Sequence, residues 1–275
     1  MSDAHALKLI QAVEAADSSA RLLEAVQQLA DARLEAAIPI LIAALSYNNP
    51  GAAVAAVDGL ILLGDVAVDP LLELLDRYNY SARAWAIRAL AGIGNPRGLA
   101  LLLDAVQTDF AMSVRRAAAK GLGTMRWHLL PLEEVPAAQE QALAALLQVC
   151  HDEEWIVRYA AIVGLQTLAI ATSQTRPDWL ANILSRFEHM AAADETSAVR
   201  ARVCLAQQQL LRATRQTETE HPYVSSLEAD WHSTMEKLYN RKSQERQHSD
   251  SLFPEGDPRR FQQVAASMLP RIKDT

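Results

Sequence analysis

Read as apolar and polar positions, the chain is periodic at helical spacing for most of its length. In YSARAWAIRALAGIG, residues 80–94, Ala82, Ala86, Ala89, Leu90 and Ile93 fall on one stripe at 3.6-residue periodicity, which predicts a helix. Gly94 can take a left-handed conformation and Pro96 cannot continue the helix, so IGNPRG supplies the stop. The pattern then returns. In GAAVAAVDGLILLGDVAVDPLLELL, from Gly51, Leu60 matches Leu90, Gly64 matches Gly94, and an apolar helix follows each glycine. Further copies begin with AMSVRRAAAKGLG at Ala111, EWIVRYAAIVGLQTLA at Glu154 and, more weakly, SAVRARVCLAQQQLL at Ser197. The spacing, about thirty residues early and about forty later, is that of helical-hairpin solenoids. The insertions RWHLLPLEEVPAAQ and IATSQTRPDW account for the longer spacing and belong in connections. One hairpin cannot bury its apolar stripe alone, so the pattern predicts an all-α stack of hairpins.

Residues 1–212 carry the repeat, and residues 213–275 lose it. That polar extension, with a helix expected at Leu227–Tyr239 and a loop at SLFPEGDPRR, reads as a cap or a partner-docking segment. Half of the residues are hydrophobic, enough for a sizeable core, and Ala and Leu dominate. The net charge of -7 argues against nucleic-acid binding, which draws on a surplus of Lys and Arg. Cys150 and Cys204 both sit in apolar helical patterns and read as buried, reduced thiols. The N-terminal MSDAHALKLIQAVEAAD lacks a basic region followed by an apolar one, and no stretch reads as a membrane span. A soluble, cytoplasmic protein is expected, with no membrane partner.

An arginine stands at the same place in the last four copies: Arg83, Arg115, Arg158 and Arg200. An acid precedes each at nearly constant distance: Asp76, Asp109, Asp152 and Asp194. The acids suit helix starts, where free N–H groups need acceptors, and the arginines suit ion pairs between repeats. Arg115, Arg158 and Arg200 are therefore read as scaffold.

Chemistry is harder to find. There is no phosphate loop, no G-x-S-x-G elbow and no H-E-x-x-H helix. The seven histidines are dispersed, so no metal site is expected. Deoxyhypusine hydroxylase, a helical-repeat iron enzyme, relies on His-Glu dipeptides, which this chain lacks. What stands out is YNYSARAWAIRAL, with Tyr78, Tyr80, Arg83, Trp85 and Arg88. Tyr80, Arg83 and Ile87 share a helical face, and Trp85 lies one turn before Arg88. Flat aromatic surface beside guanidinium forks suits a conjugated, carboxylate-bearing ligand or a protein hot spot.

The segment PLLELLDRYNYSARAWAIRALAGIGNPRGL resembles the signature of the E/F-type phycobilin lyases of cyanobacteria, within a similarity running from roughly residue 34 to residue 211. The YNYSARAWAIRALAGIG portion is specific, whereas VRRAA and VRYAA are generic to HEAT repeats. The resemblance implies a HEAT-repeat, armadillo-like α-solenoid forming a right-handed superhelix. By length it points to the E subunit, since the F subunit is shorter. It implies one half of a heterodimer, with an F-type partner, that attaches phycocyanobilin to a cysteine of the phycocyanin α subunit. The bilin is then a transferred substrate and no cofactor is permanently bound. Arg83 and Arg88 become contacts to propionates or to the partner, and Tyr78, Tyr80 and Trp85 pack on the bilin. Asp76 and Asp104 are candidates for a carboxylate that faces the pyrrole nitrogens and favours the protonated, more electrophilic bilin. A lyase-isomerase subunit, a bilin-removing activity and a non-catalytic adaptor in phycobilisome assembly are the alternatives.

Overall fold

The apolar stripes become helices in the computed structural model, which describes residues 3–75 and 80–216. Twelve α-helices and no strands occur among those residues. The chain divides into two units, Met1–Glu218 and Thr219–Thr275, and all described helices belong to the first. Asp76, Tyr78, the helix expected at Leu227–Tyr239 and the SLFPEGDPRR loop lie outside the described residues.

The helices follow one another in pairs. They are α1 (Asp3–Glu14) with α2 (Ser19–Asp31), α3 (Ile38–Ala44) with α4 (Pro50–Leu63), and α5 (Val68–Leu75) with α6 (Tyr80–Ile93). Then come α7 (Leu99–Thr108) with α8 (Met112–Gly123), α9 (Val135–Val149) with α10 (Trp155–Thr172), and α11 (Pro177–Ala193) with α12 (Ser197–Gln216). Each even-numbered helix packs on the next, from α2 to α12, and this continuous layer is the spine of the solenoid. The small residues of the stripe allow it. At the closest crossing, between α8 and α10, a Cβ on Gly123 would meet the Gly164 Cα at 2.5 Å.

The predicted stripe on α6 is the core. Ala82, Ala86, Ala89, Leu90 and Ile93 are all buried. They join an apolar cluster running back to Val13, whereas Ile87 and Ala91 join a second cluster running on to Leu210. α6 is thus the junction of the two halves of the core. Each fully buried Leu or Ile contributes about 1.5–3 kcal/mol relative to exposure. Ile87, fully buried, therefore does not share the partly exposed surroundings of Arg83.

Gly94 ends α6 with φ 69° and Gly64 ends α4 with φ 74°, as their place in the pattern requires. Arg33, just after α2, has φ 50°. A non-glycine residue in this region costs about 1–2 kcal/mol. Of the insertions, residues 130–134 and 173–176 form connections, but Val135 and Pro177 already begin α9 and α11. Helix α10 and the α4–α5 run are apolar enough to pass for membrane spans by length and composition, which the sequence reading denied. They are core helices here. Eleven residues of α10 are buried, Arg158 among them.

The two cysteines part company. Cys150 is buried, and burial pushes its thiol up to about 12. Cys204 is exposed on α12, contrary to expectation. A maleimide under native conditions is expected to label Cys204 within minutes and to spare Cys150 until the chain is unfolded. Peptide mapping of the labelled protein checks this, and equal labelling would contradict the packing described.

Candidate functional site

The loops that enter α8, α10 and α12 share one construction. Asp109, Asp152 and Asp194 each accept a backbone N–H two residues on, from Ala111, Glu154 and Thr196, all at 2.9 Å. Arg115, Arg158 and Arg200 each donate from Nη1 to the carbonyl of the aspartate six residues earlier, at 2.9, 2.9 and 2.6 Å. The remaining edge of the guanidinium reaches to the next repeat. Arg115 grips Asp152 with Nε and Nη2 at 2.7 and 3.0 Å, and Arg158 grips Asp194 at 2.8 and 3.0 Å. These are two-pronged guanidinium–carboxylate bonds, short and charge-assisted. Burial pushes the Asp194 carboxyl up, but hydrogen bonds from Arg158 and the Thr196 N–H outweigh it and hold the group below the ordinary carboxylate range. The arginines read as scaffold at Arg115 and Arg158 are therefore scaffold. Arg200 ties down only its own loop among the described residues.

Arg83 occupies the same place, but its reach to the next repeat is longer. Its Nε lies 3.8 Å from Asp109 and its Nη2 lies 4.0 Å from Asp104, with 30% of the side chain exposed. Asp104, on α7, also accepts from the Thr108 hydroxyl at 3.2 Å. Further along α6, Trp85 is half-buried against the core, and Arg88 stands exposed with its guanidinium carbon 5.5 Å from the Trp85 ring centre. Such an exposed cation–π contact is worth about 0.5–1 kcal/mol. Of the residues singled out in the sequence, the structure thus brings together Arg83 with Asp104, and Trp85 with Arg88. Tyr80 starts α6, and its side chain lies outside the described part, as do Asp76 and Tyr78.

The sequence reading missed the continuation of this surface on the neighbouring helices. Met112, Trp155 and Tyr159 are exposed. Met112 and Trp155 stand three residues before their repeat arginines, as Tyr80 does, so the signal was present in the repeat alignment. It needed comparison of equivalent positions rather than inspection of one cluster. On the edge near Asp152 and Asp194, a cleft of about 390 Å³ is lined by Cys150, His151, Glu153, His189 and Glu195 among others. The raised Cys150 pKa denies it a thiolate, and His151 Nε2 lies 2.7 Å from an Arg186 nitrogen. No group of three or more metal-ligating side chains occurs among the described residues.

The fold and ladder define a HEAT-repeat α-solenoid, and residues 68–166 match the family described as HEAT repeats. Comparison with known proteins narrows this. The chain is 61% identical over 274 residues to a phycocyanobilin lyase subunit beta of Pseudanabaena tenuis, covering 95% of this chain and 96% of that protein. It is 62% identical over 162 residues to the phycocyanin alpha phycocyanobilin lyase CpcF of Synechocystis sp., covering 59% and 76%. A chain from the solved complex of CpcE and CpcF of phycocyanin lyase from Nostoc sp. superposes with a TM-score of 0.57 at 53% identity, over 62% of this chain and 98% of that one. This chain belongs to the family of phycocyanobilin lyase subunits. The resemblance read from YNYSARAWAIRALAGIG led to the right family, and relatives named beta or CpcF stand against the E subunit that length pointed to. The Pseudanabaena protein is named a beta subunit and is as long as this chain.

Proposed function

We propose that this chain is the F-type half of a heterodimeric lyase that joins phycocyanobilin to a cysteine of the phycocyanin α subunit through a thioether, active only with its E-type partner. The observation that carries the reading is the likeness to subunits named beta or CpcF, together with the match to a chain of a two-subunit lyase complex. The chemistry suits what the described residues offer. The attacking thiol belongs to the acceptor, so the lyase needs none, and Cys150 is held protonated by burial. Sulfur adds to the bilin and the thiol proton passes to the bilin carbon skeleton, so no oxidant or reductant enters.

Trp85 offers an aromatic face and Arg88 an exposed guanidinium for a bilin carboxylate. Arg83 and Asp104, already facing one another, suit a second carboxylate and the pyrrole nitrogens respectively. Tyr78, Tyr80 and Asp76 complete the proposed set. The bilin is a substrate in transit rather than a resident group.

Co-expression tests the subunit assignment. Paired in turn with an E-type and an F-type chain from a relative, this chain is expected to elute as a one-to-one complex only with the E-type chain. A stable complex with the F-type chain alone would reverse the assignment.

A further inference from the structure

Beyond the Trp85–Arg88 pair, the free face of the even-numbered layer carries cations that no acid answers among the described residues. Arg116 and Lys120 lie one turn apart on α8, Lys120 at the repeat position that Arg88 holds on α6. Neither takes part in an ion pair among the described residues, in a chain whose net charge is -7. Across α10, Arg202 of α12 lies over the ring of Tyr159, its guanidinium carbon 5.9 Å from the ring centre. Its Nη2 donates to the Gln166 side chain, while its Nη1 is buried without a hydrogen-bond partner. Burial pulls its pKa down, and no carboxylate among the described residues offsets that. Between these cations stand exposed Trp155 and Tyr159, one turn apart.

Helices pack about 8–10 Å apart, so the row from α8 to α12 spans roughly 16–20 Å. A helix of about 11–13 residues, at 1.5 Å per residue, covers that distance. Small-molecule sites enclose most of their ligand. Lys120, Trp155 and Tyr159 instead stand out from the surface. Permanent subunit interfaces are apolar and poor in charge at their centre. An exposed face of cations and aromatics fits a salt-sensitive encounter with a protein that must leave again.

We infer that the free face of α8 and α10, bordered by α12, docks an acidic amphipathic helix of the protein that accepts the bilin, with its carboxylates on Arg116 and Lys120 and its apolar side on Trp155 and Tyr159. This rests on the lyase reading above. It adds where the acceptor sits.

The test uses the complex of this chain with its E-type partner and measures its affinity for apo-phycocyanin α subunit at low and high salt. The double variant R116E/K120E should bind roughly tenfold to a hundredfold more weakly at low salt and lose most of the salt dependence. R116Q/K120Q should fall between it and wild type, and circular dichroism of each variant reports folding. Unchanged affinity and salt dependence in folded variants would overturn the inference. So would loss of the heterodimer, which would give the face to the partner subunit, or loss of phycocyanobilin retention with acceptor affinity intact, which would give it to the bilin. A wild-type complex that transfers bilin without measurable acceptor affinity would also remove this docking face while leaving the lyase reading in place. Failure of wild-type transfer would strike the lyase reading itself.

Discussion

Replacing Gly164 with alanine is expected to destabilise the solenoid unit by about 3 kcal/mol, at the upper end for overpacking. Intrinsic helix preference argues the other way, since alanine is favoured over glycine inside a helix by about 1 kcal/mol. Contact decides the sign. A Cβ at Gly164 would lie 2.4 Å from the Ala119 carbonyl oxygen and 2.9 Å from Leu146 Cδ2. The first neighbour is backbone of α8 and cannot swing aside, so α8 and α10 must separate. Those two helices form the closest crossing of the spine, and the stability of a repeat stack is a sum of such neighbour contacts. Urea unfolding followed by circular dichroism should show the loss, with α10–α12 melting ahead of the rest. A G164A protein as stable as wild type would mean that the crossing is looser than described.

The second large effect is expected at Arg158. R158A should cost about 3–5 kcal/mol, because it strands a buried carboxylate rather than merely removing a bond. The side chains of Arg158 and Asp194 are 9% and 6% exposed. The comparison is R21A. Arg21 and Asp17 form an i,i+4 pair with side chains 71% and 67% exposed, and its loss should cost less than about 1 kcal/mol. A double variant that replaces Arg158 and Asp194 together with methionine and leucine should recover most of the loss. Acid gives the same signature. The Asp194 pKa is depressed below 3.8 in the folded chain. Its contribution is therefore full above the ordinary carboxylate pKa and is lost as the pH falls through the folded value. Equal costs for R158A and R21A in the same urea titration would sink the ladder account.

The fold was legible where local and global preference agree. The α6 stripe, the left-handed Gly94 and the ion pairs between repeats all follow from residue type at repeated places. The first hairpin was not read, because the repeat alignment began at Gly51 and α1 and α2 precede it. Cys204 was misread because an apolar pattern tells which side of a helix could be buried, not whether a further repeat covers it. At the candidate site, YNYSARAWAIRAL announced unusual residues but could not divide them. Only packing shows that Ile87 belongs to the core, Arg83 half to the scaffold, and Trp85 and Arg88 to each other. Trp155 and Tyr159 come from one repeat and Arg202 from the next, and adjacency across helices is a property of the stack. Length is a poor guide to subunit type, since the Pseudanabaena relative named a beta subunit is as long as this chain.

The most direct measurement is reconstitution. This chain, an E-type partner, apo-phycocyanin α subunit and phycocyanobilin are mixed, the product is denatured, and bilin absorbance that stays with the α chain is read. A parallel sample omits this chain. The account predicts covalent bilin only in the complete mixture, and its loss when either subunit is left out. Equal covalent yield with and without this chain, from a partner shown to be folded, would contradict it and leave the solenoid an adaptor.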